Sequence, residues 1–207
     1  MKKNNLILTI VLLTVTLFST SGYTQTVIIG TQVWTSKNLN VDTYRNGDEI
    51  PQVQDEKAWA NLTTGAWCYY NNDASNGTKY GKLYNWYAVH DPRGLAPKGY
   101  HIPTDAEWTK LTDYLGGEEE VGTKMKSTSG WYNNGNGTNS SGFSGLPVGS
   151  RSFNGVFGGI GIFGAWWSST GSDASDAWGR GLYYENGDVG RYGWYKEDGF
   201  SVRCLRD

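Results

Sequence analysis

The stretch PTDAEWTKLTDYLGG, residues 103–117, reads as one well-specified helix. Thr104 is placed to accept from the Glu107 amide while the Glu107 carboxylate reaches back, a reciprocal capping box that satisfies two otherwise orphaned donors. Pro103 ends whatever strand precedes it. Trp108, Leu111, Thr112 and Leu115 recur at i, i+3, i+4 and i+7, so they share one face, and Gly116 with Gly117 supplies a left-handed stop. A helix with a single apolar face packs on a core from one side only.

Toward the N-terminus, YGKLYNWYAV at 80–89 is apolar and aromatic throughout and predicts a segment buried on both sides. AWCYYNN at 66–72 reads as a strand, with a polar loop at 73–78. Residues 55–62 carry a short helical pattern in which Trp59 and Leu62 share a face. Asn46-Gly47-Asp48 marks a tight turn, and residues 26–41 alternate around Gly30 as a hairpin would. Toward the C-terminus, residues 130–141 are nearly all Gly, Asn, Ser and Thr around Trp131 and Tyr132, which predicts a long loop ordered by backbone hydrogen bonds and aromatic pins. Beyond Phe143 come strands and turns: WWSST at 166–170, AWGRGLYY at 177–184, an ENGD turn at 185–188, VGRYGWY at 189–195 and GFSVRCLRD at 199–207. In the last of these, Phe200, Val202 and Cys204 or Leu205 alternate like a half-buried strand. One strong helix among many short strands predicts an α+β domain: short twisted antiparallel sheets, one or two packed helices and long ordered loops.

Composition sets the chemistry of the interior. The 207 residues include 29 Gly, 10 Trp and 14 Tyr, and only 18% are charged. With few aliphatic side chains available, the core must be built from rings whose NH and OH groups need partners. The formal charge of -2 offers no basic stripe, which argues against nucleic acid as a partner.

Lys2 and Lys3, then an uncharged run from Leu6 to Phe18, then small polar residues at 19–22, have the layout of a secretory signal peptide. The expected division is a signal peptide at 1–22 and a single domain at 23–207, with cleavage near Gly22 or, as the alternative, at Gln25. The apolar run is shorter than the ~20 residues a membrane span needs, so the mature chain is expected to be secreted or at the cell surface without membrane insertion. In an oxidising compartment the two cysteines, Cys68 and Cys204, are expected to form one disulfide, closing a long loop worth about 4–5 kcal/mol of denatured-state entropy.

Several motifs carry less than they suggest. Gly159, Gly161 and Gly164 match G-x-G-x-x-G, yet no helix N-terminus is predicted to follow, so they read as turn and bulge glycines. His90 and His101 make no metal spacing, and His101, next to the helix cap, reads as structural. Asp173, Asp176, Glu185 and Asp188 surround turns without the regular oxygen spacing of an EF-hand. No metal or cofactor is expected. The sequons at Asn61, Asn76, Asn136 and Asn139 argue only for exposure.

The concentration of Trp, Tyr and Arg between residues 166 and 196 is different in kind. Flat rings beside Asn, Asp and Arg suit the C–H face of a sugar, and they suit a protein epitope equally. Trp178 and Leu182 are expected on one core-facing side of a strand. The expected exposed, ligand-binding subset is Arg180, Tyr184, Arg191, Tyr192, Trp194 and Tyr195.

Seven segments, VWTSKNLNV (33–41), TTGAWCYYNND (63–73), YGKLYNWYAV (80–89), residues 91–117, SGFSGLPVGSR (141–151), WWSST (166–170) and GFSVRCLRD (199–207), occur in an order that closely resembles the Fibrobacter succinogenes major paralogous domain family. The resemblance implies export in Bacteroidetes-type bacteria and a C-type-lectin-like fold, distantly similar to the formylglycine-generating, sulfatase-modifying group. In that group a Pro-Thr-Glu-Trp helix start and a terminal Gly-Phe-Arg strand recur, here Pro103, Thr104, Glu107 and Trp108, and Gly199, Phe200 and Arg203. The chain departs from calcium-dependent lectins in lacking their Glu-Pro-Asn or Gln-Pro-Asp loop and their Trp-Asn-Asp strand. It also lacks the cysteine constellation of the formylglycine-generating enzymes.

The resulting expectation is a non-enzymatic binding or adhesion module whose partner is a glycan or a surface protein. The alternatives are a cryptic enzyme of the sulfatase-modifying type using Cys204 or Cys68, and a structural envelope protein without a ligand.

Overall fold

A computed structural model describes residues 25–207; the expected signal peptide lies outside them. In chain order the elements are β1 (Thr26–Ile29), β2 (Gln32–Thr35), α1 (Glu56–Ala60), β3 (Trp67–Cys68), α2 (Ser75–Tyr80), β4 (Leu83–Tyr84), α3 (Trp86–Val89), β5 (Tyr100–His101), α4 (Asp105–Leu115), α5 (Val121–Met125), β6 (Ser150–Arg151), β7 (Phe157–Gly158), β8 (Phe163–Gly171), β9 (Asp176–Tyr183), β10 (Gly190–Tyr195) and β11 (Leu205–Arg206). The class is α+β, built on short antiparallel sheets. One sheet has the order β1-β2-β11-β5 and joins the two ends of the domain; a second runs β10-β9-β8, and two small ladders pair β3 with β4 and β6 with β7. Among the described residues no helix is long and apolar enough to cross a membrane.

Helix α4 forms where its sequence predicts, with both halves of the capping box made: the Glu107 amide donates to Thr104 Oγ1 at 3.3 Å, and the Thr104 amide donates to Glu107 Oε2 at 2.8 Å. A cap of this kind is worth about 1 kcal/mol. Its apolar face buries Trp108 and Leu111 against Trp34, Phe143 and Trp166. The β1–β2 hairpin turns at Gly30, whose φ of 62° suits a residue without a Cβ, and the Tyr114 ring of α4 lies directly against it.

Strand β8 divides the interior. Because side chains alternate, Trp166 enters the cluster of Trp34, Trp108 and Phe143, while Trp167 enters a second cluster with Tyr84, Trp86, Phe200 and Val202. The buried indoles find acceptors for their N–H groups, on the backbone where Trp167 Nε1 donates to Tyr84 O at 2.9 Å, Trp86 to Ser168 O at 2.9 Å and Trp59 to Glu197 O at 2.8 Å, and on a side chain where Trp166 donates to Asn38 Oδ1 at 2.9 Å. A ring-built core is stable only on these terms.

Of four expectations, one is met and three are corrected. Residues 66–72 are a strand only at Trp67–Cys68; Asn71 and Asn72 then take positive φ and turn the chain, and much of the expected polar loop is α2. Residues 80–89 are buried as expected, but as β4 followed by α3, which Asn85 caps by accepting from the Ala88 amide. The terminal segment is not half-buried: Phe200 to Leu205 are all enclosed, because the chain threads between sheets, with Ser201 N bonding Ala165 O at 3.1 Å and Leu39 N bonding Val202 O at 2.8 Å.

The fourth is the disulfide. Cys68 and Cys204 are free buried thiols, the first packed with Trp59, Tyr70 and Val148 and the second in the separate cluster around Tyr84 and Phe200. Burial pushes each thiol up to about 12, against a smaller opposing pull from Arg151 at Cys68 and from Arg203 at Cys204.

Candidate functional site

The β8–β10 sheet ends in an open edge at β10. Gly190, Tyr192 and Trp194 project to one side of it and Arg191, Gly193 and Tyr195 to the other. Across the ladder Tyr192 faces Gly179 and Gly190 faces Gly181. A Cβ at Gly179 would stand 2.7 Å from the Trp194 ring, and one at Gly190 would overlap the Tyr192 ring. The absent side chains therefore let the rings lie down on the sheet. Tyr192 and Trp194 are 5.1 Å apart, Tyr183 is 6.3 Å from Tyr192 and Phe163 is 5.7 Å from Tyr183. Trp194 is anchored from beneath by Phe200 at 4.9 Å. The result is an aromatic shelf whose outermost ring, Tyr192, is 43% exposed.

Beside the shelf is a cleft of about 230 Å³ walled by Tyr183, Tyr192, Glu118, Glu119, Asn186 and Asp188. The backbone of two of these residues is held by Lys126, a buried residue whose Nζ donates to Tyr183 O at 3.1 Å and Asn186 O at 2.7 Å. Burial lowers the Lys126 ammonium from its usual range, and burial with Tyr192 and Glu185 nearby raises the Tyr183 phenol. The site therefore offers ring faces together with carboxylate and amide groups.

The six residues expected to form one exposed surface divide among several places. Tyr192 and Trp194 make the shelf. Tyr195 stands on the opposite face in an exposed pair with Phe153 at 4.8 Å, and Tyr184 packs edge-on against Tyr132 at 5.5 Å. Arg191 is exposed but pinned, its guanidinium 3.5 Å from the Trp178 ring, with Nε donating to Asp105 Oδ1 and Nη2 to Asp105 Oδ2. Arg180 is fully buried, because its strand face looks into α4, where its Nη1 meets Asp105 Oδ1 at 2.7 Å. Trp178 is half-buried under Arg191 rather than enclosed with Leu182. Sequence reasoning passed over Tyr183, Glu118, Glu119, Asn186 and Lys126. For Tyr183 the signal was present: it continues the alternation of Gly179 and Gly181.

The remaining candidate groups are occupied by the fold. His101 Nδ1 is 2.8 Å from Asp207 and its Nε2 is 3.0 Å from Glu107. His90 stacks on Trp86 at 4.5 Å. Asp173 accepts from the amides of Ser175 and Asp176, both at 2.8 Å, as a turn residue does. Gly159 and Gly161 sit at φ near 80° in the turn between β7 and β8. Among the described residues no group of three His, Cys, Asp or Glu side chains is arranged to hold a metal ion.

No curated protein and no solved structure matches the chain. Residues 27–206 match the Fibrobacter succinogenes major domain, a span that takes in both the strands of the shelf and helix α4. The chain belongs to the Fibrobacter succinogenes major domain family.

Proposed function

We propose that the protein is an exported, non-enzymatic binding module that recognises a glycan through the Tyr183–Tyr192–Trp194 shelf and the adjoining cleft. The observation that carries this is a run of rings on an open sheet edge, Tyr192 exposed and Tyr183 and Trp194 half-buried beside it, next to carboxylate and amide groups of Glu118, Glu119, Asn186 and Asp188. A ring face covers the C–H patch of a sugar while the polar rim takes its hydroxyls, which is how an open site combines area with orientation. A protein ligand is the less favoured occupant, since the rim is polar and narrow.

Support for a non-enzymatic role comes from the thiols, which at about 12 hold almost no thiolate at neutral pH. Support for export is the charged, apolar and small-residue layout of residues 1–22. The pairing of β2 with β11, which joins both ends of the domain in one sheet, supports a C-type-lectin-like reading of the architecture.

A glycan array probed with the wild-type protein and with Tyr192→Ala tests the proposal. The expected result is a defined set of saccharides whose signal falls at least tenfold in the variant. Retention of the same set at the same strength by the variant would overturn it.

A further inference from the structure

Away from the shelf, a second cleft of about 330 Å³ opens between the chain following β2 and helix α2. Its size lies at the small end of the ~300–1,000 Å³ range of ligand pockets. Lys37 and Lys79 stand on its walls, and among the described residues no acidic side chain lines it. Neither lysine takes part in an ion pair among the described residues. Asn40 and Thr78 add an amide and a hydroxyl to the same walls.

Behind the floor lies a buried cation. Arg203 is fully enclosed and meets no carboxylate among the described residues; its acceptors are Asn38 Oδ1 at 2.7 Å, Thr35 O at 2.7 Å and Ser144 O at 3.1 Å. Two of those acceptors, Asn38 and Ser144, are themselves lining residues of the cleft. Ser144 holds φ at 56°, a left-handed conformation that a non-glycine residue adopts at a cost. Lys37 and Lys79 thus put two exposed positive charges on the walls, Lys79 Nζ 4.7 Å from the Tyr80 ring, with the enclosed Arg203 hydrogen-bonded to two lining residues behind them; a cleft lined by a single sign of charge concentrates its field on whatever enters.

We propose that this cleft is a binding site for a carboxylate-bearing sugar of about one hexuronate residue. Its two lysines hold the carboxylate while Asn40 and Thr78 take ring hydroxyls. The inference does not depend on the aromatic shelf, which lies on different elements.

The test is an amide NMR titration of the isotope-labelled protein at low salt with galacturonate, with galactose and with acetate, repeated on Lys37→Ser/Lys79→Ser. Both lysines are exposed, so the double variant keeps its fold, which the unchanged amide spectrum outside the cleft verifies. Galacturonate is expected to shift amides of Lys37, Asn40, Lys79 and Ser144, with at least tenfold weaker binding in the double variant and weaker binding by both galactose and acetate. Four results would overturn the proposal: no shift with galacturonate, equal binding of galactose, equal binding of acetate, or an unaffected double variant. Tyr192→Ala is expected to leave the galacturonate shifts intact, which separates failure here from failure of the shelf reading.

Discussion

Arg180 and Arg191 share one carboxylate: Arg180 Nη1 lies 2.7 Å from Asp105 Oδ1 and Arg191 Nη2 lies 2.9 Å from Asp105 Oδ2. Paired across β9 and β10, the two arginines clamp the edge of the sheet to the first turn of α4. Burial alone would raise the Asp105 carboxyl, but the hydrogen bonds and charges of Arg191 and Arg180 outweigh it and hold it below its ordinary range. Removing the carboxylate leaves Arg180 buried without a counter-charge, a loss of about 3–5 kcal/mol. Asp105→Ala is expected to lose that much in chemical denaturation, whereas Arg191→Ala, at the exposed side, is expected to lose about 1 kcal/mol. Equal losses would contradict the clamp.

His101 ties the C-terminus to α4. Burial lowers its tendency to hold a proton, yet the bonds to Asp207 and Glu107 outweigh that and raise it above 6.5. A histidine raised in the folded state contributes stability that is fully present below its unfolded value and is lost as pH rises through the folded one. The melting-temperature difference between wild type and His101→Gln is therefore expected to be largest near pH 5.5 and to shrink above pH 7. A difference that is flat with pH would show the clasp to be uncharged.

Asp198 runs the other way. Burial, with a smaller push from Glu197 and Asp176, raises its carboxyl from 3.8 to about 7. The folded state then pays a desolvation cost that is absent below pH 4 and grows as pH climbs toward 7, on the order of 4 kcal/mol for a shift of that size. Asp198→Asn, whose amide oxygen can still accept from the Phe153 amide, is expected to match wild type at pH 4 and to be more stable by a few kcal/mol at pH 8. Destabilisation at both pH values would refute this.

The thiols give a direct check on the interior. Cys68 and Cys204 are expected to be silent toward a thiol reagent in the native protein and to titrate as two free groups after denaturation without reductant. A denatured protein showing none would mean that the pair is bridged.

Local signals in the sequence carried well where they were self-contained. The Thr104–Glu107 box and the Gly30 hairpin each depend on neighbours within a turn or a strand. What escaped depended on distant partners. Nothing near Arg180 announces that Asp105 will neutralise it, so a basic residue among rings read as exposed. The last segment alternates like a surface strand, but Ala165 and Leu39 close on it from both sides. The shelf was only half legible, because Tyr192 and Trp194 declare themselves by type, whereas Glu118 and Lys126 arrive through the packing of α5 and its preceding loop.

Ring resonances decide the central claim. With ring-labelled tyrosine and tryptophan, titration with a saccharide selected on an array is expected to shift Tyr183, Tyr192 and Trp194 while the enclosed Trp59 and Trp108 stay fixed. It is also expected to weaken at least tenfold in Gly190→Ala, whose added methyl group displaces the Tyr192 ring without deleting it. Saturable binding that leaves those three rings unmoved would contradict the account.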